Sequence, residues 1–362
     1  MTDGSGTGFQ LLHEFIAKAR INLDQNVWEY LVGGVETETT LKRNRLALDS
    51  LAFRPRVLVD VSEIDCSWSF FGKRIRLPVA LAPVGSLQSF WTGGGATVAA
   101  AAGAFGVPQF VASGDAPSLL EIARTGGGPK VFQLYVRGDD DSVIDEVLPR
   151  VIDAGYEAIC FTVDTPVHSR RERDIVKRFR MEFVTGPRQR YQAALTWNHI
   201  ERVKAKYNIP LILKGIATTE DAVRAVEMGV DVIYVSNHGG RQLDCSRGSA
   251  EVLPEIVAAV AGRAKVYVDG GFARGTDIIK GIALGADLVV VGRLYVYALA
   301  AAGEAGIVRM LEILENEVHQ SLGLLGVPSF AQVNRQHICP APPVVMPHVL
   351  SAFPLLKLAP PG

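Results

Sequence analysis

The chain has 362 residues, 48% of them hydrophobic, and its 37 Lys plus Arg nearly cancel its 38 Asp plus Glu for a formal net charge of −1. That balance excludes a nucleic-acid or polyanion binder, whose surface is visibly basic, and the apolar content excludes a largely disordered chain. Cys66, Cys160, Cys245 and Cys339 lie far apart, with neither metal-ligand spacing nor a disulfide framework, so no metal is expected. The opening MTDGSGTGFQLLHEF lacks a basic region followed by an apolar one, and the windows 79–84 and 285–302 are too short or too glycine-broken to span a bilayer. The expectation is a cytoplasmic protein with no membrane anchor.

Residues 10–50 read as helical. FQLLHEFIAKARI is amphipathic, Asp24 can cap the next helix, QNVWEYLVGG, and Gly33 and Gly34 end it. A third helix starts near Thr39 and carries Leu41, Asn44 and Leu46. From residue 78 short continuous apolar runs alternate with helical patterns. The runs are PVALAP (78–83), PQFVAS (108–113), KVFQLYV (130–136), EAICFTVD (157–164), PLILKG (210–215), DVIYVSN (231–237), AKVYVDGG (264–271) and ADLVVVG (286–292). Continuous rather than alternating runs suit parallel strands buried on both faces. Eight such units predict an α/β fold, a (β/α)8 TIM barrel, over 76–338. An N-terminal helical segment, 1–75, packs on the barrel, and a Pro-rich tail, 339–362, lies on the surface, reaches a neighbouring subunit or is disordered. A doubly wound sheet is the alternative, but no G-x-G-x-x-G follows the first strand. The stretch 181–199 reads as a polar loop.

Catalytic groups of such barrels sit at the C-terminal strand ends. Those ends carry Ser113, Gln133, Tyr135, Thr162, Asp164, Lys214, Asn237, His238, Arg241, Asp269 and Arg293. Lys214 ends a run of aliphatics, so its cation points into the barrel mouth unless it reaches solvent, and there it needs an anion. In SNHGGRQLD, His238 and Arg241 are placed as a base and a carboxylate clamp. VDGG (268–271) and VVGR (290–293) are glycine turns that follow the last two strands, where backbone N–H groups of Gly270, Gly271 and Gly292 with the Arg293 guanidinium suit a phosphate. Together these groups favour a phosphorylated cofactor.

The string SNHGGRQ resembles the active-site signature of the FMN-dependent (S)-2-hydroxy-acid oxidases and dehydrogenases. FRPRVL (53–58), FQLYV (132–136), FTVDTP (161–166), RRERDI (170–175), LKGI (213–216), RGTD (274–277) and ALGAD (283–287) extend the resemblance over about residues 10–338. It implies FMN as cofactor, a small-molecule 2-hydroxy acid as substrate, O2 or another electron acceptor, and a homo-oligomer, a tetramer by analogy. It implies that His238 is the base, oriented by Asp164. Arg171 and Arg241 then face the substrate carboxylate, and Tyr30 and Tyr135 contact carboxylate and hydroxyl. Lys214 sits beside the flavin. Gln133, Thr162 and Ser236 are implied isoalloxazine contacts, Asp269, Gly271, Gly292 and Arg293 the implied ribityl and phosphate site, and Pro83, Val84, Gly85, Ser113, Gly270 and Arg274 further implied cofactor contacts.

Some positions depart from that family's pattern. Gly114 stands where a bulky residue often walls the substrate pocket, Ala112 replaces a serine, Gly85 an alanine, and WTGGG (91–95) the usual start of the first barrel helix. Ala273 replaces a phosphate-side arginine, with Arg274 beside it, and the loop after the fourth strand is short. An open pocket predicts an aryl or otherwise bulky, mandelate-like acid. The alternatives are oxidative decarboxylation of the same acid, a different FMN barrel, and a flavin-binding homologue altered in catalysis.

Overall fold

Eight parallel strands close into a barrel in chain order: β1 (Val79–Leu81), β2 (Gln109–Ala112), β3 (Lys130–Leu134), β4 (Ala158–Thr162), β5 (Leu211–Ile216), β6 (Val232–Val235), β7 (Lys265–Val268) and β8 (Leu288–Val291), with β8 pairing back onto β1. Each begins inside one of the eight apolar runs. The computed structural model describes residues 7–137, 140–179 and 190–357. The strands are short and almost wholly buried because helices cover the outside and bulky side chains fill the inside. Phe110, Tyr234 and Tyr267 meet inside the barrel with centroids 5.7 to 6.5 Å apart. A hairpin, Trp68–Phe70 with Lys73–Ile75, precedes β1, and its buried Phe70 stacks on Tyr267 to plug the end where the strands begin.

The N-terminal segment is helical as expected, with two short strand pairings added. Helices α1 (Leu12–Asn22), α2 (Gln25–Val32) and α3 (Thr39–Asp49) lead into Leu51–Phe53, which pairs antiparallel with Ile338–Pro340. Asp24 caps α2 by accepting the Asn26 N–H at 2.8 Å. The α3 helix braces the mouth of the barrel. Asn44 exchanges hydrogen bonds with Asn237 and accepts the Ser249 N–H, while Arg45 donates to the Gly271 carbonyl at 2.8 Å.

Three features differ from what the sequence predicts. Part of 181–199 is helical, since Arg190–Ala194 and Trp197–Lys206 form helices; 180–189 lies outside the described residues. The glycines of WTGGG do not prevent the first barrel helix, which runs Gly94–Phe105. The tail does not simply follow the barrel: 338–340 is part of a sheet, and Phe353 is buried in the core. The helix Arg293–Leu325 is long and apolar enough to cross a membrane by length and composition, but 72% of its apolar window is buried within the protein and its backbone breaks at Ala302–Gly303.

Arg45 is 4% exposed and its guanidinium binds Asp277, itself 1% exposed, at 2.7 Å. Arg45→Met strands a buried carboxylate, a loss typically worth about 3–5 kcal/mol. Urea unfolding is expected to show a loss of that order, with the Arg45→Met/Asp277→Leu double variant recovering a large part of it; equal loss in both would mean that the pair contributes through packing instead.

Candidate active site

Strand β5 does two things at once. Lys214 ends its aliphatic run and points into the barrel mouth, 3% exposed, donating to Ser236 Oγ at 3.0 Å with Asp269 Oδ2 at 3.6 Å. The next residue, Gly215, breaks the register with β6 at φ +113°, and a Cβ there would lie 2.6 Å from the Cβ of Asp164. Only glycine therefore lets the Asp164 carboxylate approach. Burial opposes the ammonium, but Asp269 and Asp164 outweigh it and hold Lys214 protonated, well above the ordinary lysine range.

Ser236 Oγ also accepts the backbone N–H of His238 at 3.0 Å, so the lysine and histidine share one anchor. His238 takes a left-handed backbone (φ +58°) and is followed by Gly239 and Gly240, also left-handed. At Gly240 a Cβ would fall 2.5 Å from the Leu41 backbone, so this glycine lets α3 close on the loop. His238 Nδ1 lies 3.1 Å from Asp164 Oδ1, and Nε2 lies 3.4 Å from the Tyr135 hydroxyl. Donation from Nδ1–H to the carboxylate leaves Nε2 as the acceptor. Burial, then the Lys214 cation, lowers the His238 pKa below its usual value, against the pull of Asp164. The ring is thus neutral near pH 7. Burial alone would raise Asp164, but His238 and Lys214 keep it ionised. Burial pushes Tyr135 up to about 12, so its hydroxyl keeps its proton.

A second cluster faces the first. The Arg241 guanidinium lies over the Tyr30 ring at 4.5 Å and that of Arg171 at 5.5 Å. Arg241 donates to the carbonyls of Tyr30 and Gly33 at the end of α2. Burial and then Arg171 act against its charge, a penalty that an anion would relieve. These groups line a cavity of about 690 Å³, within the usual range for ligand sites.

The predicted residues fall into three groups. Tyr30, Pro83, Val84, Gly85, Tyr135, Arg171, Lys214, His238, Arg241, Asp269, Gly270, Gly271, Gly292 and Arg293 all line the cavity. Asp164, Gln133, Thr162, Ser236 and Ser113 support it: Asp164 meets His238 Nδ1, Gln133 donates to Thr162 Oγ1 at 2.8 Å, and Ser113 Oγ accepts the Tyr135 N–H at 3.2 Å. Arg274 and Gly114 do not line it. Arg274 is turned away into an ion pair with Glu317, and Gly114 sits on the loop after β2. Arg293 lines the cavity with its guanidinium bonded to the carbonyls of Leu31, Gly33 and Gly239.

Sequence reasoning missed Gln192, Tyr297 and the tail residues Val349 and Phe353, all of which line the cavity. Gln192 accepts the Val136 N–H and donates to the Thr162 carbonyl, both at 2.8 Å, tying the ends of β3 and β4. These residues come from helices and from the tail, which a search of strand ends does not reach. Among the described residues no cluster has metal-binding composition.

The whole rim defines a barrel enzyme with a buried cation, a base and an anion clamp. A family model described as FMN-dependent dehydrogenase matches residues 19–194 and 185–340, and the chain belongs to that family. It is 38% identical over 351 residues to glycolate oxidase 1 of Oryza sativa subsp. indica, covering 90% of this chain and 94% of the relative. It is 42% identical over 339 residues to 4-hydroxymandelate oxidase of Amycolatopsis orientalis, covering 88% and 94%. A solved mandelate oxidase structure superposes with a TM-score of 0.86 at 41% identity, over 93% of this chain and 100% of that one. The chain is accordingly an FMN-dependent enzyme of the 2-hydroxy-acid oxidase group. Its residues fit FMN: Gln133 Oε1 and Asp269 Oδ1 are buried acceptors without a partner, Lys214 supplies a fixed cation, and nothing but Ala82 lies within 4 Å of a Cβ placed on Gly292.

Because His238 must be neutral to take a proton, flavin reduction is expected to fall as pH drops through a value below 6.5 and to level off above it. Asp164→Asn removes the group that raises the His238 pKa, so the acid limb moves to still lower pH while the plateau falls. Anaerobic stopped-flow reduction between about pH 4.5 and 8 reads both; a limb that moves upward contradicts the assignment.

Proposed function

We propose that the protein oxidises an (S)-2-hydroxy acid with an aryl or bulky side chain to the 2-keto acid, with O2 as the final acceptor. The observation that carries this is the opposition, across one cavity, of the His238–Asp164 pair and the Arg171–Arg241 pair on Tyr30. An acid whose carboxylate meets the two arginines presents its hydroxyl to the other wall. Bidentate guanidinium binding fixes the orientation of the planar carboxylate. Nε2 of His238 accepts the hydroxyl proton, and Asp164 stabilises the imidazolium that results. Tyr135, protonated and beside Nε2, donates to the oxygen that becomes the ketone. FMN, when bound, supplies the two-electron acceptor. Lys214 holds positive charge where reduction places a negative one, and its burial makes that charge count for more than it would in water.

The bulky-substrate part rests on the cavity wall. Phe179 meets Tyr30 edge-on at 6.4 Å, and Val167, Ile175 and Phe90 add apolar side chains to the cavity lining. Gly85, which lines the same cavity, adds no side chain to it. The similarity to proteins named mandelate oxidase and 4-hydroxymandelate oxidase supports the same reading.

His238→Ala should retain FMN and lose roughly 10²–10⁴ in the rate of flavin reduction; near-normal reduction would place the base elsewhere. For substrate choice, kcat/KM for (S)-mandelate should exceed that for (S)-lactate and glycolate by about tenfold or more, the scale of a few apolar contacts. A glycolate or lactate preference overturns the size argument.

A further inference from the structure

The wall of the cavity around Gly271 and Ala273 is completed by the C-terminal tail. After the strand Ile338–Pro340 the chain runs through an exposed stretch, with Val344 97% and Met346 84% exposed, and then returns to the protein. Val349 and Phe353 line the same cavity as Gly270, Gly271 and Ala273, and Phe353 is 3% exposed. The return is anchored. Arg274 donates to the Ala352 carbonyl at 3.0 Å while its other nitrogens hold Glu317, and the buried His13 ring from α1 meets Phe353 edge-on at 5.6 Å. Arg274, expected from sequence as a phosphate contact, is therefore a tail anchor, next to Ala273, which lines the same cavity as Val349 and Phe353.

We propose that the segment Val349–Phe353 is a clasp that closes the phosphate end of the FMN site and retains the cofactor. This rests on the reading that the Gly270–Gly271 turn takes the phosphate. The physical reason is exclusion of water. A phosphate dianion held by the backbone N–H groups of the turn is bound more strongly, and is less screened by salt, when an apolar wall keeps solvent away. Val349 and Phe353 supply that wall without contributing charge. Departure of FMN through this end requires Phe353 to leave its seat against His13, and the exposed stretch before it allows that movement without disturbing the strand at Ile338–Pro340.

The test is cofactor release, which does not depend on turnover. Holoenzyme is diluted and the rise of free-flavin fluorescence followed at low and high salt, for the full chain, Phe353→Ser, Phe353→Leu and a chain ending at Met346. Circular dichroism and thermal melting of each holoenzyme check the fold. The expected result is FMN release about tenfold or more faster in Phe353→Ser and in the shortened chain, the scale of lost apolar contact. That release should also become salt-dependent, with Phe353→Leu close to the full chain. The same proteins reconstituted with riboflavin, which lacks the phosphate, should show little difference among themselves. FMN release unchanged within about twofold in folded Phe353→Ser and in the shortened chain overturns the clasp while leaving FMN binding intact. Equal acceleration for riboflavin and FMN overturns it too, by moving the effect away from the phosphate. A full chain that holds riboflavin as long as FMN instead overturns the placement of the phosphate at the turn.

Discussion

Withdrawing one ammonium from water shapes the mouth of this barrel. Lys214 is almost fully buried, and a charge in that position is tolerated only with anions and hydrogen bonds around it. Asp269 and Asp164 supply the anions, and Ser236 supplies the acceptor. Each of these partners then holds something else. Ser236 anchors the His238 backbone, Asp164 orients the His238 ring, and Asp269 accepts the buried Tyr234 hydroxyl. The requirement to solvate one cation from within thus fixes the base, its orienting carboxylate and a carboxylate beside the glycine turn.

The barrel alone does not complete the site. Tyr30 comes from α2, Leu41 and Arg45 from α3, and Phe353 from the tail. Arg241 and Arg293 both bind carbonyls at the end of α2, so two guanidinium groups offset the negative end of that helix while turning its tyrosine toward the cavity. The N-terminal segment is in this sense a wall of the active site rather than a decoration on the barrel.

What can be read from sequence follows from how local each signal is. The eight strands are legible because a buried parallel strand is a continuous apolar run, and PVALAP or DVIYVSN cannot be much else between helical patterns. Lys214, His238 and Asp164 are legible because the end of such a run is the rim of the barrel, where a polar side chain faces whatever the barrel binds. Arg274 is misplaced by sequence because neighbouring side chains point in different directions at a helix start, and only Glu317, 43 positions away, decides which way this one turns. Gln192 is hidden in a stretch without apolar period. Phe353 is hidden among prolines, where composition suggests no fixed structure. In both cases the side chain is buried by contacts distant in sequence, which no window records.

The pairing of Leu51–Phe53 with Ile338–Pro340 has a consequence for the order in which the molecule comes into being. Asn44 reaches partners 193 and 205 positions later, and Arg45 reaches Asp277 across 232. Closing loops of that size is slow, since the entropy of the intervening chain is lost before any contact forms. A ribosome delivers α1 to α3 before the barrel, with Phe15 and Leu48 bare of the surfaces that later cover them. Those helices wait through the synthesis of the whole barrel, and the active site is assembled last, when the final strand and the tail emerge. Helices α1 to α3, made before the barrel, are thus among the last elements to find their place.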